Sequence, residues 1–303
     1  FKLDDRLLRV IDDIEFKNCT PIQAKCLPLI LEGHDIAGQA QTGTGKTAAF
    51  LLATFHTLLS KSKKNCTNLR AIIIAPTREL AIQIYKDAEI FNRYCGLNLC
   101  LVYGGIDYEE QRSSLLEGVD LLVATPGRLI DYYKQRLFNF KYIEVVVLDE
   151  ADRMFDLGFI NDIRYILRRM PKPDRRLNLL FSATLSYRVM ELAYEHMNNP
   201  HTVRIKPDQR IAEKIEQKLY HVASSEKIKL LVGMLQGFEN VRAIVFVNTK
   251  RTGTTLVRYL KANGCHARAL SGDVAQDKRQ KLILDFKEGR LEVVVATDVA
   301  ARG

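Results

Sequence analysis

The sequence has none of the features of a disulfide-stabilised, secreted or membrane-spanning protein. Its six cysteines are spread over 303 residues without any C-x-x-C spacing, which predicts reduced thiols instead of a disulfide framework. No apolar run approaches the roughly 18 residues that cross a bilayer. The first residues do not have the layout of a signal peptide. We therefore expect a cytoplasmic protein.

Charge of one sign is not in great excess. Lys and Arg number 45, Asp and Glu number 36, and the formal net charge is +9. This balance is compatible with a polyanionic partner such as nucleic acid, but many basic proteins bind none. The hydrophobic content of 47% and charged content of 27% are typical of folded globular domains and exclude disorder or a fibrous repeat.

Short β-branched apolar runs alternate with stretches of helical periodicity along the chain. This alternation predicts an α/β fold whose parallel sheets bind ligands at the carboxyl ends of the strands. A polar stretch at residues 206–212 predicts a linker between a domain at 1–205 and a second one at 213–303. The second is short of the roughly 150 residues of a typical α/β domain. We expect it to be incomplete, in a truncated chain.

A glycine-rich segment joins a short apolar run to an apolar helix. Its residues are Ala40, Gln41, Thr42, Gly43, Thr44, Gly45, Lys46 and Thr47. Glycines let a backbone wrap closely around phosphates, Lys46 would reach the terminal phosphates, and the Thr47 hydroxyl would bind Mg²⁺. The strict phosphate-loop pattern has glycine at position 40, so a chance glycine-rich turn remains an alternative.

An acidic cluster follows the apolar run that ends at Leu148. Asp149 would hold Mg²⁺, and Glu150 would act as the general base toward an attacking water. A solvated acidic turn is the alternative, although the phosphate-loop segment makes it less attractive.

Taken together, Ala40 to Thr47 and Asp149-Glu150-Ala151-Asp152 resemble the DEAD-box family of superfamily 2 helicases. The ATP-binding loop of that family has the sequence pattern A-x-T-G-x-G-K-T, so Ala40 is the expected residue there. The resemblance runs through nearly the whole chain. It implies two RecA-like parallel-sheet domains, ATP and Mg²⁺ as cofactors, and an RNA-stimulated ATPase that unwinds RNA duplexes locally.

Thr20-Pro21-Ile22-Gln23 resembles the family's Q motif, and the resemblance assigns Gln23 to the adenine edge. It also places a base-stacking aromatic residue at Phe1, for which a frayed terminal hydrophobe is the alternative. The Gly-Phe pair of the family appears here as Glu15-Phe16, and this departure puts the local backbone geometry in question. Phe16 is the remaining candidate of this group for nucleotide binding.

Ser182-Ala183-Thr184 follows the run at residues 179–181 and resembles the motif that couples ATP hydrolysis to unwinding. The resemblance implies that the hydroxyls of Ser182 and Thr184 donate hydrogen bonds to the acidic motif, at Asp152. A plain Ser/Thr turn is the alternative.

Three further segments, each after a predicted strand, match the RNA-contacting motifs of the family in order. Their candidate residues are Pro76, Thr77, Arg78, Gly104, Gly105, Thr125, Pro126, Gly127 and Arg128. Turns need such residues in any case, so each segment alone is weak. Together they predict contact with RNA sugars and phosphates without reading of base identity.

Later family motifs are matched by segments in the second domain. Gln276, Arg279 and Thr297 are its candidate RNA-binding residues, and a solvated helix face is the alternative for the first two. Asp298 and Gly303 resemble residues on the nucleotide side. The family's next motif, H-R-x-G-R-x-x-R, is not found before the chain ends, so we expect the chain to bind ATP but to hydrolyse it poorly.

Residues 148–160 and 181–189 resemble one bacterial subfamily in particular. That subfamily works with RNA-degradation machinery, which makes an endoribonuclease scaffold an expected partner besides RNA. Two rival functions remain open at this stage: a helicase directed to DNA, and a non-catalytic RNA clamp that is gated by ATP.

Overall fold

The computed structural model describes residues 1–60, 68–105, 108–205, 216–238, 242–271, 274 and 276–297. The chain divides into two compact units, Phe1–Asp208 and Gln209–Gly303. Each unit contains a wholly parallel sheet, with seven strands in the first and three in the second. The predicted α/β class with two parallel-sheet domains is confirmed. The predicted linker at 206–212 lies outside the described residues.

The seven strands of the first unit are short and mostly buried. They are β1 Ile36–Gln39, β2 Ala71–Ile74, β3 Leu99–Val102, β4 Leu121–Ala124, β5 Val145–Leu148, β6 Leu177–Ser182 and β7 His201–Arg204. Their order in the sheet is β3-β4-β2-β5-β6-β1-β7. Every residue of β2, β4 and β5 is buried. This explains why these strands are continuous apolar runs without a polar alternation.

Helices cover both faces of this sheet. They are α1 Asp5–Asp13, α2 Pro21–Leu31, α3 Lys46–Ser60, α4 Arg78–Phe91, α5 Tyr108–Leu116, α6 Pro126–Lys134, α7 Ala151–Asp156, α8 Ile160–Leu167 and α9 Tyr187–His196. Successive strand residues point to opposite faces. Accordingly, Ile73 packs in one apolar cluster with Phe50 of α3, and Ile72 packs in another with Tyr132 of α6.

The second unit is smaller and repeats the same layout. Its strands are β8 Ala243–Val247, β9 Ala267–Leu270 and β10 Val293–Thr297, in the order β8-β10-β9. Its helices are α10 Lys227–Gln236, α11 Lys250–Ala262 and α12 Gln276–Lys287. Leu256 and Leu260 of α11 pack on Val295 of the central strand. Within the described residues of either unit, none of the helices combines the length and apolar character needed to cross a bilayer.

A buried carboxylate fixes the amino ends of β1 and β6 in the first unit. Asp35 accepts hydrogen bonds from the backbone N–H of Asn178 at 2.8 Å, from the Asn178 side chain at 2.7 Å and from the backbone N–H of Asn198 at 2.6 Å. Burial raises the pKa of Asp35, and the hydrogen bonds from Asn178 and Asn198 oppose that rise. These hydrogen bonds hold the amino ends of the strands together. The sequence motifs lie at the opposite edge of the sheet, where the strands end.

We expect Asp35→Ala to lower the stability of the first unit by about 2 to 4 kcal/mol, because the buried backbone N–H of Asn178 and the partly buried one of Asn198 lose their acceptor. Urea denaturation followed by circular dichroism measures the change. Asp12→Ala removes an exposed carboxylate from α1 and serves as the control, for which we expect no shift. An Asp35→Ala midpoint equal to that of the control would show that these hydrogen bonds contribute nothing.

Candidate active site

Strand order brings six sequence motifs to one edge of the first sheet. The segments that follow β3, β4 and β2 are the three candidate RNA motifs, and they lie side by side. The segments that follow β5, β6 and β1 are the acidic motif, the Ser182-Ala183-Thr184 motif and the phosphate loop. Parallel strands direct all their carboxyl ends to the same edge. The candidate ATP half and RNA half therefore adjoin between β2 and β5.

The phosphate loop is a tight turn that leads into α3. Gly43 and Gly45 have φ angles of 77° and 86°, a region that side chains other than glycine rarely adopt. Lys46 is the first residue of α3 and is buried, and its Nζ donates to the carbonyl oxygen of Ala40 at 2.9 Å. The amino end of a helix favours anions. The lysine is thus held inside the loop at the place where phosphates would bind.

Gln23 connects the Q-motif segment to the phosphate loop. Its side-chain Nε2 donates to the carbonyl oxygen of Gly45 at 3.1 Å, and its Oε1 accepts from the backbone N–H of Thr20 at 2.9 Å. A Cβ atom on Gly45 would lie 2.6 Å from Gln23 Nε2. Glycine is therefore required at position 45 by close approach as well as by its φ angle. Gln23 itself is buried, so any group that it recognises must lie next to the loop.

Asp149 and Glu150 are both buried at the end of β5. Burial raises the pKa of Asp149 to about 6, and the nearby Lys46 opposes that rise. Glu150 has a left-handed backbone conformation, with φ 51° and ψ 51°, which is strained for a residue other than glycine and is common at functional sites. Its carboxylate pairs with Arg153 Nη1 at 2.9 Å, and its backbone N–H donates to Asp149 at 2.9 Å.

The predicted hydrogen bonding between Thr184 and the acidic motif is present. The hydroxyl and the backbone N–H of Thr184 each donate to the Asp152 carboxylate at 3.0 Å. Ser182 acts differently from the prediction: its hydroxyl accepts from the Asp152 backbone N–H at 3.2 Å and donates to the Thr184 carbonyl oxygen at 2.7 Å. Thr184 thus contacts the carboxylate of Asp152, and Ser182 contacts the backbone N–H of the same residue. Three hydrogen bonds therefore join the two motifs, and a fourth, from Ser182 to Thr184, lies within the second motif.

An open cleft of about 480 Å³ contains most of these residues. Thr42, Gly43, Gly45, Lys46 and Thr47 line it from the phosphate loop, and Asp149 and Glu150 line it from β5. Phe16 also lines the cleft, whereas Phe1, which is exposed, is not among its lining residues. Sequence reasoning missed a wall formed by Ile14, Leu80, Gln83, Asp87, Ile90 and Phe91. Five of these lie on α4, where only helical periodicity could have indicated them.

Glu15 explains how the chain reaches the cleft from α1. Its φ is 55°, so it holds the left-handed conformation in which the family's glycine would be unstrained. The turn at Glu15 brings Phe16 to the cleft, although a Glu occupies the position of that glycine. Asp13, at the end of α1, accepts from Arg93 and from Tyr94 at 2.8 Å each, which fixes this turn to the end of α4.

The candidate RNA motifs are also in contact with one another. The Arg78 guanidinium lies against Gly105, where a Cβ atom would approach its Nη1 to 2.4 Å. Thr77 caps α4 by accepting from the backbone N–H of Leu80 at 3.4 Å. Pro76 is buried and Gly104 lies beside Arg78. The first two motifs therefore form one surface with a cation at its centre.

The third candidate RNA motif opens α6. Thr125 is the N-cap residue, Pro126 occupies the first helical turn and Gly127 is exposed. The Arg128 side chain donates to the Tyr132 hydroxyl at 3.0 Å and lies over that ring. This contact positions the guanidinium beside the exposed turn.

The second unit places its candidates on two elements. Arg279 lies on α12, and Thr297 ends the central strand β10. Gln276 is the first residue of α12, but its side chain lies outside the described residues. Asp298 and Gly303 also lie outside them.

The donors in the cleft fit a hydrated Mg²⁺ ion better than a protein-caged metal. Among the described residues, no group of three or more His, Cys, Asp or Glu side chains is placed to hold a metal ion. Thr47 and Asp149 line the same cleft. Mg²⁺ is usually held by one or two carboxylates together with substrate phosphates and waters. This matches Asp149 next to a phosphate loop, since the other buried carboxylate, Glu150, is paired with Arg153.

A family model for DEAD/DEAH box helicases matches residues 20–193, and a model for the helicase conserved C-terminal domain matches residues 226–303. The chain belongs to the DEAD-box helicase family. It is 54% identical over 301 residues to an ATP-dependent RNA helicase RhlB of Pseudoalteromonas atlantica, covering 99% of this chain and 72% of that protein. A Vibrio parahaemolyticus protein of the same name is 54% identical over 291 residues, which cover 95% and 67% of the two chains.

Solved DEAD-box structures share the fold. Saccharomyces cerevisiae Dbp5 L327V bound to RNA and ADP BeF3 is 30% identical with a TM-score of 0.83, over 100% of this chain and 76% of that one. A DEAD box protein from Methanococcus jannaschii is 34% identical with a TM-score of 0.63, over 100% and 80%. The predicted DEAD-box family, its RecA-like fold and the likeness to the RhlB subfamily are confirmed. The chain is an ATP-dependent RNA helicase of the DEAD-box kind.

We expect Asp149→Asn to stabilise the protein at pH 7.5 without nucleotide. The folded-state pKa of Asp149, about 6, lies above the ordinary value of 3.8, so its ionisation lowers stability as the pH rises from about 4 to about 6. Removing that charge should raise the free energy of unfolding by about 1 to 3 kcal/mol at pH 7.5.

Near pH 4 the gain should disappear, because Asp149 is then protonated in the folded protein. Urea denaturation at the two pH values measures the difference. The exposed Asp12→Asn is the matched control. An equal gain at both pH values, or a loss at pH 7.5, would contradict the predicted cost of the buried charge.

Proposed function

We propose that this helicase hydrolyses ATP·Mg²⁺ in the cleft of the first unit and couples that reaction to the opening of short RNA duplexes during RNA turnover in the cytoplasm. The observation that carries the proposal is the single sheet edge on which the phosphate loop, the two buried carboxylates and the RNA motifs adjoin. We also propose domain limits of 1–205 and 213–303, with a linker at 206–212.

The phosphate loop supplies the contacts to the triphosphate. Residues 40–47 surround the phosphates with backbone N–H groups, and Lys46 exchanges its bond to Ala40 for the terminal phosphates. Thr47 and Asp149 hold Mg²⁺, which neutralises charge on the phosphates when bound. The buried Asp149 carboxylate is costly without a cation, and its raised pKa supports this assignment.

Glu150 orients the attacking water and accepts its proton. Its left-handed backbone and its pairing with Arg153 hold the carboxylate in the wall of the cleft, next to the place where a water on the terminal phosphate would lie. Strain at a single residue between two buried ones is typical of a group that is positioned for chemistry.

The base of the nucleotide lies against the Q-motif segment. Gln23 reads the adenine edge and at the same time contacts Gly45, so occupancy of the base site is transmitted to the phosphate loop. Phe16 stacks on the base from the wall of the cleft. Phe1 adds a second aromatic surface from the start of the chain.

Ser182 and Thr184 couple the nucleotide state to RNA. Their hydrogen bonds to Asp152 link the ends of β5 and β6. A shift of the acidic motif during hydrolysis therefore moves the end of the neighbouring strand.

RNA is held by its sugars and phosphates. In the first unit the contacts come from Pro76, Thr77, Arg78, Gly104, Gly105, Thr125, Pro126, Gly127 and Arg128, and in the second unit from Gln276, Arg279 and Thr297. Backbone contacts of this kind do not read the base sequence, and recognition of 2′-hydroxyl groups favours RNA over DNA. The likeness to proteins named RhlB supports a role in RNA turnover, with an endoribonuclease scaffold as the protein partner.

In a chain that also contains the H-R-x-G-R-x-x-R motif, we expect Glu150→Gln to lower RNA-stimulated ATP turnover by about 10² to 10⁴-fold, because the water loses its proton acceptor. ATP and RNA affinities should stay within about twofold, since the amide keeps the shape of the side chain. Phosphate release and equilibrium binding are the two measurements. Glu117→Gln, an exposed residue after α5, is the control, and unchanged turnover in Glu150→Gln would remove Glu150 as the base.

The 303 residues contain no H-R-x-G-R-x-x-R sequence, and we propose that a protein of these residues alone binds ATP but turns it over slowly. Arginines that stabilise a transferring phosphoryl group contribute roughly 10³ to 10⁵-fold in rate in related enzymes. Phosphate release with RNA, with DNA and without nucleic acid measures the effect. Robust stimulation by RNA would contradict slow turnover, and equal stimulation by DNA would contradict the preference for RNA.

A further inference from the structure

A cluster of exposed cations lies at the sheet edge opposite to the helicase motifs. The chain between α8 and β6 reads Arg168-Arg169-Met170-Pro171-Lys172-Pro173-Asp174-Arg175-Arg176 and enters β6 at its amino end. Four of its side chains are exposed: Arg168, Arg169, Lys172 and Arg175. Because β6 carries Ser182 at its other end, about one strand length, roughly 17 Å, separates this cluster from the helicase motifs.

An aromatic ring lies within the cluster. The guanidinium of Arg169 lies 3.4 Å from the centre of the Tyr165 ring, and its Nη1 donates to the Tyr165 carbonyl oxygen at 2.9 Å. The exposed Lys134, at the end of α6, places its Nζ 6.0 Å from the same ring. A guanidinium that lies over a tyrosine ring presents a planar cation, to which an unpaired nucleobase can stack. We call Lys134, Tyr165, Arg168, Arg169, Lys172 and Arg175 the basic edge.

Few carboxylates neutralise the basic edge. Arg164 of the same helix is paired with Glu195 at 2.9 Å and lies 3.9 Å from Glu191. Across the described parts of the chain, no comparable ion pair involves Arg168, Lys172 or Arg175. Asp174 is the acidic residue within the segment, and Asp131 of α6 accepts a hydrogen bond from Gln135. The local charge is therefore positive.

The backbone that carries these cations is held in one conformation. Pro171 and Pro173 restrict the chain, and residues Pro173–Arg175 form a short 3-10 turn. The buried Arg176 donates to Asn178 at 2.7 Å and to the carbonyl oxygens of Leu167 and His196 at 3.3 and 3.2 Å. A surface that is already ordered loses little entropy when it binds a ligand.

We propose that the basic edge is a second RNA-binding surface, which holds the sugar-phosphate backbone of a single-stranded segment. The stacked Tyr165–Arg169 pair favours a nucleic acid over an acidic peptide, because it offers a planar face in addition to charge. This surface goes beyond the proposed function, whose RNA contacts in the first unit all lie at the opposite edge. The protein would thus hold one part of an RNA at the motifs and a flanking part at the basic edge.

The test is a triple variant, Arg168→Gln with Lys172→Gln and Arg175→Gln, in the 303-residue chain. A labelled uridine oligonucleotide of about twenty residues is titrated without ATP over a series of salt concentrations, and anisotropy reports binding. We expect about tenfold weaker binding at low salt. The slope of log affinity against log salt should fall by about 2, since each of three lost phosphate contacts contributes about 0.7 for single strands.

The matched control is Arg9→Gln with Lys86→Gln and Arg258→Gln, which removes the same charge from scattered exposed positions. Its RNA affinity should change by less than about twofold. Equal weakening in both variants would overturn the proposal, because net charge alone would then account for the effect. Unchanged RNA binding in the triple variant would also overturn the proposal. So would a triple variant that loses binding to polyglutamate, a model acidic peptide, but keeps its binding to RNA.

Photocrosslinking gives a measurement that does not depend on the variants. Irradiation of the complex with a 4-thiouridine oligonucleotide should attach RNA to the peptide that contains Tyr165 and Arg169, and absence of that crosslink would count against the basic edge. Arg78→Gln separates this proposal from the proposed function. In a chain that also contains the H-R-x-G-R-x-x-R motif, it should lower RNA-stimulated ATP turnover, while the crosslink at Tyr165 remains.

Discussion

The parallel hydrogen bonding of the seven-stranded sheet is the constraint on which the rest of the first unit depends. Parallel pairing sends every strand end to one edge, so segments far apart in the chain meet there without any long-range recognition of their own. The order β3-β4-β2-β5-β6-β1-β7 then separates two kinds of chemistry. Turns with glycine, proline and arginine follow three adjacent strands, and groups suited to phosphate and metal follow the next three.

Within the half suited to phosphate and metal, the motifs are connected by few atoms. Thr184 and Ser182 connect β6 to the acidic motif at the end of β5, and β5 is bonded directly to β2, the first strand of the other half. Gln23 makes the corresponding connection between the Q-motif helix and the loop at Gly45. Each connection is a hydrogen bond between polar groups near the edge, while the strands below are apolar and rigidly packed. Changes at the edge can therefore pass between neighbouring strand ends without repacking of the core.

Sequence reasoning predicted the fold class and the meeting of the motifs at one edge of the sheet, because each motif is local and follows a strongly apolar strand. It could not predict contacts that depend on how segments pack. Gln83 and Asp87 line the cleft from α4, and nothing in the surrounding sequence distinguishes them from other polar helix residues. The role of the Ser182 hydroxyl was predicted in part, since the resemblance to the family motif implies a contact with Asp152 but not which atoms meet. Phe1 stays a prediction, whereas Phe16 lies in the cleft wall.

The buried charge of Asp149 lowers the stability of the folded protein at the edge where the motifs lie. Burial raises its pKa to about 6, so at neutral pH the folded protein holds a charge that its surroundings solvate poorly. A cation and a triphosphate would supply the missing solvation, which makes ligand binding favourable for the same reason that the empty site is unfavourable. Lys46 shows the converse arrangement, since it is buried and bonded only to the Ala40 carbonyl oxygen among the hydrogen bonds seen in the described chain. Two opposite charges, each incompletely satisfied by the protein, define where a phosphate and its metal ion would complete the structure.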